Sequence, residues 1–165
     1  MWPDRDYDHP QLVRHERFTA RPITIDDAIR NYAAVMASRP ALWEMFGAVW
    51  RWPAEDLTLA VNIVHEAWHQ RETDLRRAFY YTLVDPSENY EIGCLYIDRA
   101  VKAGADADVT YWVRTDEPGE ELEPVVDAWA RRWLTEDWPF ERVRWPGRDV
   151  SWTEWSALPS ALVPR

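Results

Sequence analysis

Residues 106–134 read DADVTYWVR, then TDEPGEE, then LEPVVDAWARRWL, and this stretch decides the fold. In its first part apolar residues alternate. Val109, Tyr111 and Val113 share one face, the period of a strand. In its last part Leu122, Val125, Val126, Trp129 and Trp133 share one helical face. The short loop between them carries Gly119. A strand, a tight loop and a helix in this order form an anion site. The N–H groups of a helix's first turn point outward and attract phosphate.

The elements on either side follow from the same rules. Residues 18–23 predict a first strand. Thr24 or Asp26 caps a helix to about Ser38, with Ile25, Ile29, Tyr32, Val35 and Met36 near helical spacing. Pro40 breaks the run, and 41–52 read as a short Trp-rich helix ended by Pro53. Asp56 caps a long helix to about Arg71, with Leu57, Val61, Val64 and Trp68 on one face. Strands at 79–84 and 90–98 flank the turn 85–89 and make a hairpin. After strand 108–114 and helix 121–136 comes a fifth strand, 141–145, stopped by Pro146 and Gly147. Asp149 caps a last short helix through Leu158. Residues 1–16 are polar and read as an arm, and 17–160 as one domain. The last residues, 161–165, resemble the remnant of a thrombin-cleavable tag and are set aside.

This order resembles the GNAT family of N-acetyltransferases over about residues 17–158. Three stretches carry the resemblance: RPITIDDA at 21–28, the 79–98 hairpin with Gly93, and the strand, loop and helix quoted above. The resemblance implies an α/β fold with a mixed, mostly antiparallel sheet flanked by helices. It also implies acyl transfer from acetyl-CoA or another acyl-CoA to the amine of a small molecule or peptide. The strand backbone at Trp112, Val113 and Arg114 would hold pantetheine, and Gly119 would lie near the pyrophosphate. Family members use a base to deprotonate the amine, and Asp98, Asp108 and Glu72 are the candidates here. Each also reads as a solvated carboxylate at the end of a strand or helix. The acceptor cleft would lie between the second long helix and strands 79–98, presenting His65, His69, Glu72, Tyr81 and Tyr96.

Two departures from the family pattern matter. The usual last two strands have no counterpart, so a homodimer is expected to cover the sheet edge. In the phosphate loop Pro118 stands where the family has Arg or Gln, and Glu121 and Glu123 occupy later glycine positions. Asp116, Glu117, Glu120, Glu121 and Glu123 crowd this loop with carboxylates. Each costs roughly 0.7–2 kcal/mol against a phosphate about 6–8 Å away. The resulting alternative is a GNAT-fold binding or regulatory module that no longer takes CoA. The last helix, DVSWTEWSAL, has no Tyr to protonate a departing thiolate.

Composition limits the remaining possibilities. The net charge is −10, with 29 acidic against 19 basic residues, which disfavours nucleic acid or an anionic membrane as partner. Cys94 is the only cysteine, so no intrachain disulfide forms; it reads as a small buried apolar residue. No apolar run is long enough to cross a membrane and no signal peptide is evident, so a cytoplasmic location is expected. The segment His65-Glu66-Ala67-Trp68-His69 has the HExxH spacing of zinc hydrolases. No obvious third ligand accompanies it, and no metal is expected. Of the twelve tryptophans, Trp129 and Trp133 follow the helix stripe into the core. Trp43, Trp50, Trp52, Trp145, Trp152 and Trp155 lie in irregular segments that suit an aromatic cleft, an interface or the core.

Overall fold

The computed structural model describes residues 1–117, 119 and 121–161. Six strands form one sheet in chain order: β1 (Val13–Arg14), β2 (Thr19–Pro22), β3 (Ala78–Val84), β4 (Glu91–Arg99), β5 (Ala107–Val113) and β6 (Val143–Arg144). All neighbours are antiparallel except β5 and β6, which run parallel. The expected antiparallel trio and its parallel fourth member are therefore present. Between β2 and β3 come α1 (Ala28–Ala37), α2 (Arg39–Trp50) and α3 (Leu59–Asp74). Helix α4 (Glu123–Glu136) makes the crossover from β5 to β6, and α5 (Trp152–Ala157) follows. Among the described residues no strand follows β6.

Helices cover both faces, which is why every residue of β3 and β5 is buried. On one face α4 packs Val126, Trp129 and Trp133 against Phe79, Tyr81, Val109 and Tyr111. Trp129 stacks on Trp133 at 5.0 Å and meets Phe18 edge-on. The segment read as an arm joins this layer: Trp2 stacks on Phe79, and Val13–Arg14 pairs with β2. On the other face α1 and α2 pack Val35, Leu42 and Phe46 against Tyr80, Cys94 and Trp112.

Several local readings shift. Pro40 does not break the chain but sits in the first turn of α2, where its missing N–H leaves no bond unmade. Thr58, not Asp56, caps α3, its side chain accepting from the Val61 N–H at 3.3 Å. Ser151, not Asp149, caps α5 in a capping box with Glu154. The stripes expected on the first and second long helices hold only in part: Val35 and Leu57 are buried. Ile29, Val61, Val64 and Trp68 are exposed, while Asn31, Asn62, Glu66 and Thr73 are buried.

β4 bends where Gly93 approaches β5. A Cβ at Gly93 would lie 2.0 Å from the Trp112 carbonyl oxygen, so only glycine fits. The register shifts by one residue at Leu83 and Val84, a bulge beside this bend.

Candidate functional site

The register places Tyr80 directly opposite Tyr96, Asp98 opposite Asp108, and Thr110 opposite Tyr96. These five side chains therefore share the face covered by α1–α3. Helix α3 borders one side of it, while the end of α2, the following Trp52 and α5 border the other. The space enclosed is a cleft of about 910 Å³, near the upper end of the roughly 300–1,000 Å³ typical of small-molecule sites. Its walls are aromatic. Tyr80 lies 5.7 Å from Trp68, 4.9 Å from His69 and 5.5 Å from Tyr96. Facing them, Trp152 lies 5.4 Å from Trp50 and 5.8 Å from Trp155, and Trp52 completes that wall.

Three candidate bases line the cleft in different states. Asp108 is fully engaged: Arg144 donates to both oxygens, at 2.6 and 3.1 Å, and Trp155 Nε1 donates at 3.1 Å. Glu72 accepts from Arg71 at 2.8 Å and lies 3.7 Å from Arg77. Asp98 has no ion-pair partner among the described residues; its contact is the Tyr80 hydroxyl, which donates at 2.7 Å. Burial pushes Asp98 up to about 6, against the opposing pull of Tyr80 and His69. A carboxylate near 6 is ionised at neutral pH yet basic enough to take part in proton transfer.

Behind α3 runs a buried polar seam. Asn62 Nδ2 donates to Asn31 Oδ1 at 2.9 Å, and Asn31 Nδ2 donates to Glu91 Oε1 at 2.8 Å. Thr82 donates to Glu91 Oε2 at 2.9 Å, and Cys94 Sγ contacts Oε1 at 3.3 Å. Glu66 turns inward, with Oε1 3.2 Å from His69 Nδ1. Burial first, then Asp27, pushes Glu66 up to about 8, and burial holds His69 down at about 4. The HExxH segment thus keeps its Glu in the interior beside a neutral His. Among the described residues no group of three or more His, Cys, Asp or Glu is arranged to hold a metal.

The cleft brings together His65, His69, Glu72, Tyr96, Asp98 and Asp108. It does not include Tyr81, which packs edge-on against Trp133 in the opposite layer and donates to the Pro10 carbonyl at 2.8 Å. β3 is buried on both faces, so its pattern does not say which of Tyr80 and Tyr81 faces the cleft. The register sets Tyr80 opposite Tyr96 and leaves Tyr81 on the other face. Sequence reasoning also missed Thr110, Asn31 and Asn62. Their spacing with Glu66 and His69 is helical or alternating, but a polar stripe signals solvent until its partners are known. Of the irregular tryptophans, Trp50, Trp52, Trp152 and Trp155 line the cleft; Trp145 is core and Trp43 is exposed.

The strand expected to meet the cofactor is β5 itself, with Arg114 directly after it. β6 pairs with β5 only at Ala107 and Asp108, so Val109–Val113 have no β6 partner. The Trp112 side chain is wholly buried and donates to the Tyr96 hydroxyl at 2.9 Å. Arg148 lies 3.6 Å from the centre of the Tyr111 ring and pairs with Glu123 at 2.9 Å. Arg114 is held by Asp116 through two bonds, at 2.6 and 2.8 Å. The Gly119 N–H donates inward to Asp116 O at 2.7 Å, and a Cβ there would lie 2.2 Å from Arg114 Cγ. Pro118 lies outside the described residues.

No family model and no curated protein matches the sequence. Solved structures do match the fold. RimL, a ribosomal α-N-protein acetyltransferase in complex with coenzyme A, is 12% identical at a TM-score of 0.57, over 77% of this chain and 70% of its own. The microcin self-immunity acetyltransferase MccE, in complex with acetyl-CoA and AMP, has the same identity and score, over 79% and 71%. The ribosomal-protein-S5-alanine acetyltransferase from Vibrio fischeri is 20% identical at 0.51, over 76% and 67%. The fold of this chain is the GNAT fold. Its sheet, its β5–α4–β6 unit and the helices between β2 and β3 are the elements that the sequence resemblance implied.

Proposed function

We infer that this chain is a GNAT-fold N-acyltransferase, moving an acyl group from acetyl-CoA or another acyl-CoA to an amine. The observation that carries this reading is Asp98. It is a carboxylate without a cation partner among the described residues, in an aromatic cleft that reaches β5 at Asp108 and Thr110. Trp112, Val113 and Arg114 would hold the pantetheine arm along the part of β5 beyond its pairing with β6, although the Arg114 N–H itself is taken by the Ile92 carbonyl at 2.8 Å. Acyl-CoA would supply the activated acyl group. Asp98 would draw the proton from the incoming ammonium, with Tyr80 keeping the carboxylate oriented. Asp108 would position rather than react, because Arg144 and Trp155 occupy its oxygens.

The strand suits pantetheine better than the loop suits pyrophosphate. Gly119 points its N–H inward, Arg114 is taken by Asp116, and Pro124 has no N–H to offer at the start of α4. Glu121 and Glu123 add charge of the wrong sign. Weak acyl-CoA binding is the expected consequence. Calorimetric titration with acetyl-CoA tests the reading: an affinity in the high-micromolar range supports it, and no binding at millimolar ligand opposes it. A homodimer joining two copies along β6 remains part of this proposal, and sedimentation at high micromolar protein checks it.

A further inference from the structure

We propose that the cleft takes a small, largely apolar amine carrying a single positive charge, with its nitrogen at Asp98 and its body between the tryptophan walls. This deepens the acyl-transfer reading by naming the acceptor class, but the binding stands on the cleft alone.

Charge compensation inside the cleft sets the count of one. Asp108 is neutralised by Arg144, and Glu72 by Arg71 and Arg77. Among the described residues Asp98 has only the Tyr80 hydroxyl. A polyamine would find one free carboxylate for several charges, and an anion would meet repulsion.

Unpartnered buried oxygens supply the second argument. Among the described residues, Glu66 Oε2 and Thr110 Oγ1 are buried without a hydrogen-bond partner, and both residues line the cleft. A buried oxygen left unpaired costs about 1–3 kcal/mol. Donors on a ligand would relieve that cost, and an ammonium carries three.

The walls supply the third argument. Trp50 and Trp68 are about half exposed at 45% and 49%, and the rings of Trp152 and Trp155 are fixed by bonds from their Nε1 atoms to Met45 O and Asp108. Such pre-set aromatic faces bind apolar bodies and cations without ordering cost. Arg99, exposed at the cleft and without an ion-pair partner among the described residues, adds repulsion toward a second positive charge.

Calorimetry on the full chain, without acyl-CoA, tests the inference with phenethylamine, phenethyl alcohol and spermidine. The amine is expected to bind at least about tenfold tighter than the alcohol, about 1.4 kcal/mol, and tighter than spermidine. Asp98→Asn is expected to abolish the preference for amine over alcohol. Trp155→Ala is expected to weaken both. Should Asp98→Asn not fold, the unaltered protein gives the same readout, because the preference should vanish as pH falls below about 6. Tyr80 on β3, His69 on α3 and Asp108 on β5 act on Asp98, and His65, Glu66 and Glu72 on α3, Arg77, and Tyr96 and Arg99 on β4 are the other titratable or charged groups in the cleft. Equal binding of amine and alcohol, or tighter binding of spermidine or of a peptide amine, would overturn the inference. Amine-selective binding with no acetyl transfer would instead leave it standing and remove the acyl-transfer reading.

Discussion

The Tyr80 hydroxyl donates to Asp98 Oδ1 at 2.7 Å, linking β3 to β4 inside the cleft. This bond favours the ionised carboxylate, so it holds Asp98 lower than burial alone would. Tyr80→Phe should therefore raise the Asp98 pKa above about 6. The acid limb of the rate profile should move to higher pH, with the plateau reduced less than in Asp98→Asn. A pH–rate series for the two variants checks this, and an unmoved acid limb would show that Tyr80 does not act on Asp98.

Glu91 gives the fold its own pH dependence. Burial, then Glu66, pushes it from 4.5 to about 8, although Thr82, Asn31 and Cys94 donate to it. The folded chain thus keeps a proton that the unfolded chain releases above 4.5. Its contribution is complete below that pH and is lost as pH rises toward about 8, with a slope of up to about 1.4 kcal/mol per pH unit for one proton. Glu91→Gln should flatten this fall. His69 acts at the acid end: held at about 4 instead of 6.5, it removes stability as pH drops between those values. Urea melts across the pH range measure both slopes.

Gly93→Ala tests the close approach of β4 to β5. A methyl group 2.0 Å from the Trp112 carbonyl forces the strands apart, and overpacking of this kind costs about 1–3 kcal/mol or more. Thermal melting should show the loss. Gly104→Ala is the control for space, since a Cβ there meets no atom within 4 Å, although its positive φ of 99° adds backbone strain.

The acidic loop gives a prediction about the cofactor. Changing Pro118→Arg, Glu121→Gly and Glu123→Gly together should tighten acetyl-CoA binding by at least about tenfold. Loss of Glu123 also frees Arg148, whose present partner it is. Added salt should strengthen binding to the unaltered chain by screening repulsion and weaken binding to the triple variant. Calorimetry at two salt concentrations reads both effects.

The β5–α4–β6 unit was legible because its residues obey one simple rule each. Val109, Tyr111 and Val113 alternate into one core, and Trp129 and Trp133 follow them from the helix. Helix α3 was not legible in the same way. Its apolar residues Val61, Val64 and Trp68 face out because the inner stripe is polar: Asn62 and Thr73 meet partners on other elements, and Glu66 turns inward beside His69. A hydrophobic period cannot show a face that is buried through hydrogen bonds made across 30 or more residues of chain. Tyr81 was misplaced because β3 is buried on both faces, so no alternation tells its two faces apart. Asp98, His69 and Tyr96 do line the cleft, as the sequence reading placed them.

The most direct measurement is amine-dependent release of free CoA thiol from millimolar acetyl-CoA, followed in the unaltered chain and in Asp98→Asn. The expected result is release that rises with phenethylamine and falls by about 10²-fold or more in the variant, with the variant still folded. No amine-dependent release, or equal release from both proteins, would contradict the assignment of Asp98 as the base of an N-acyltransferase.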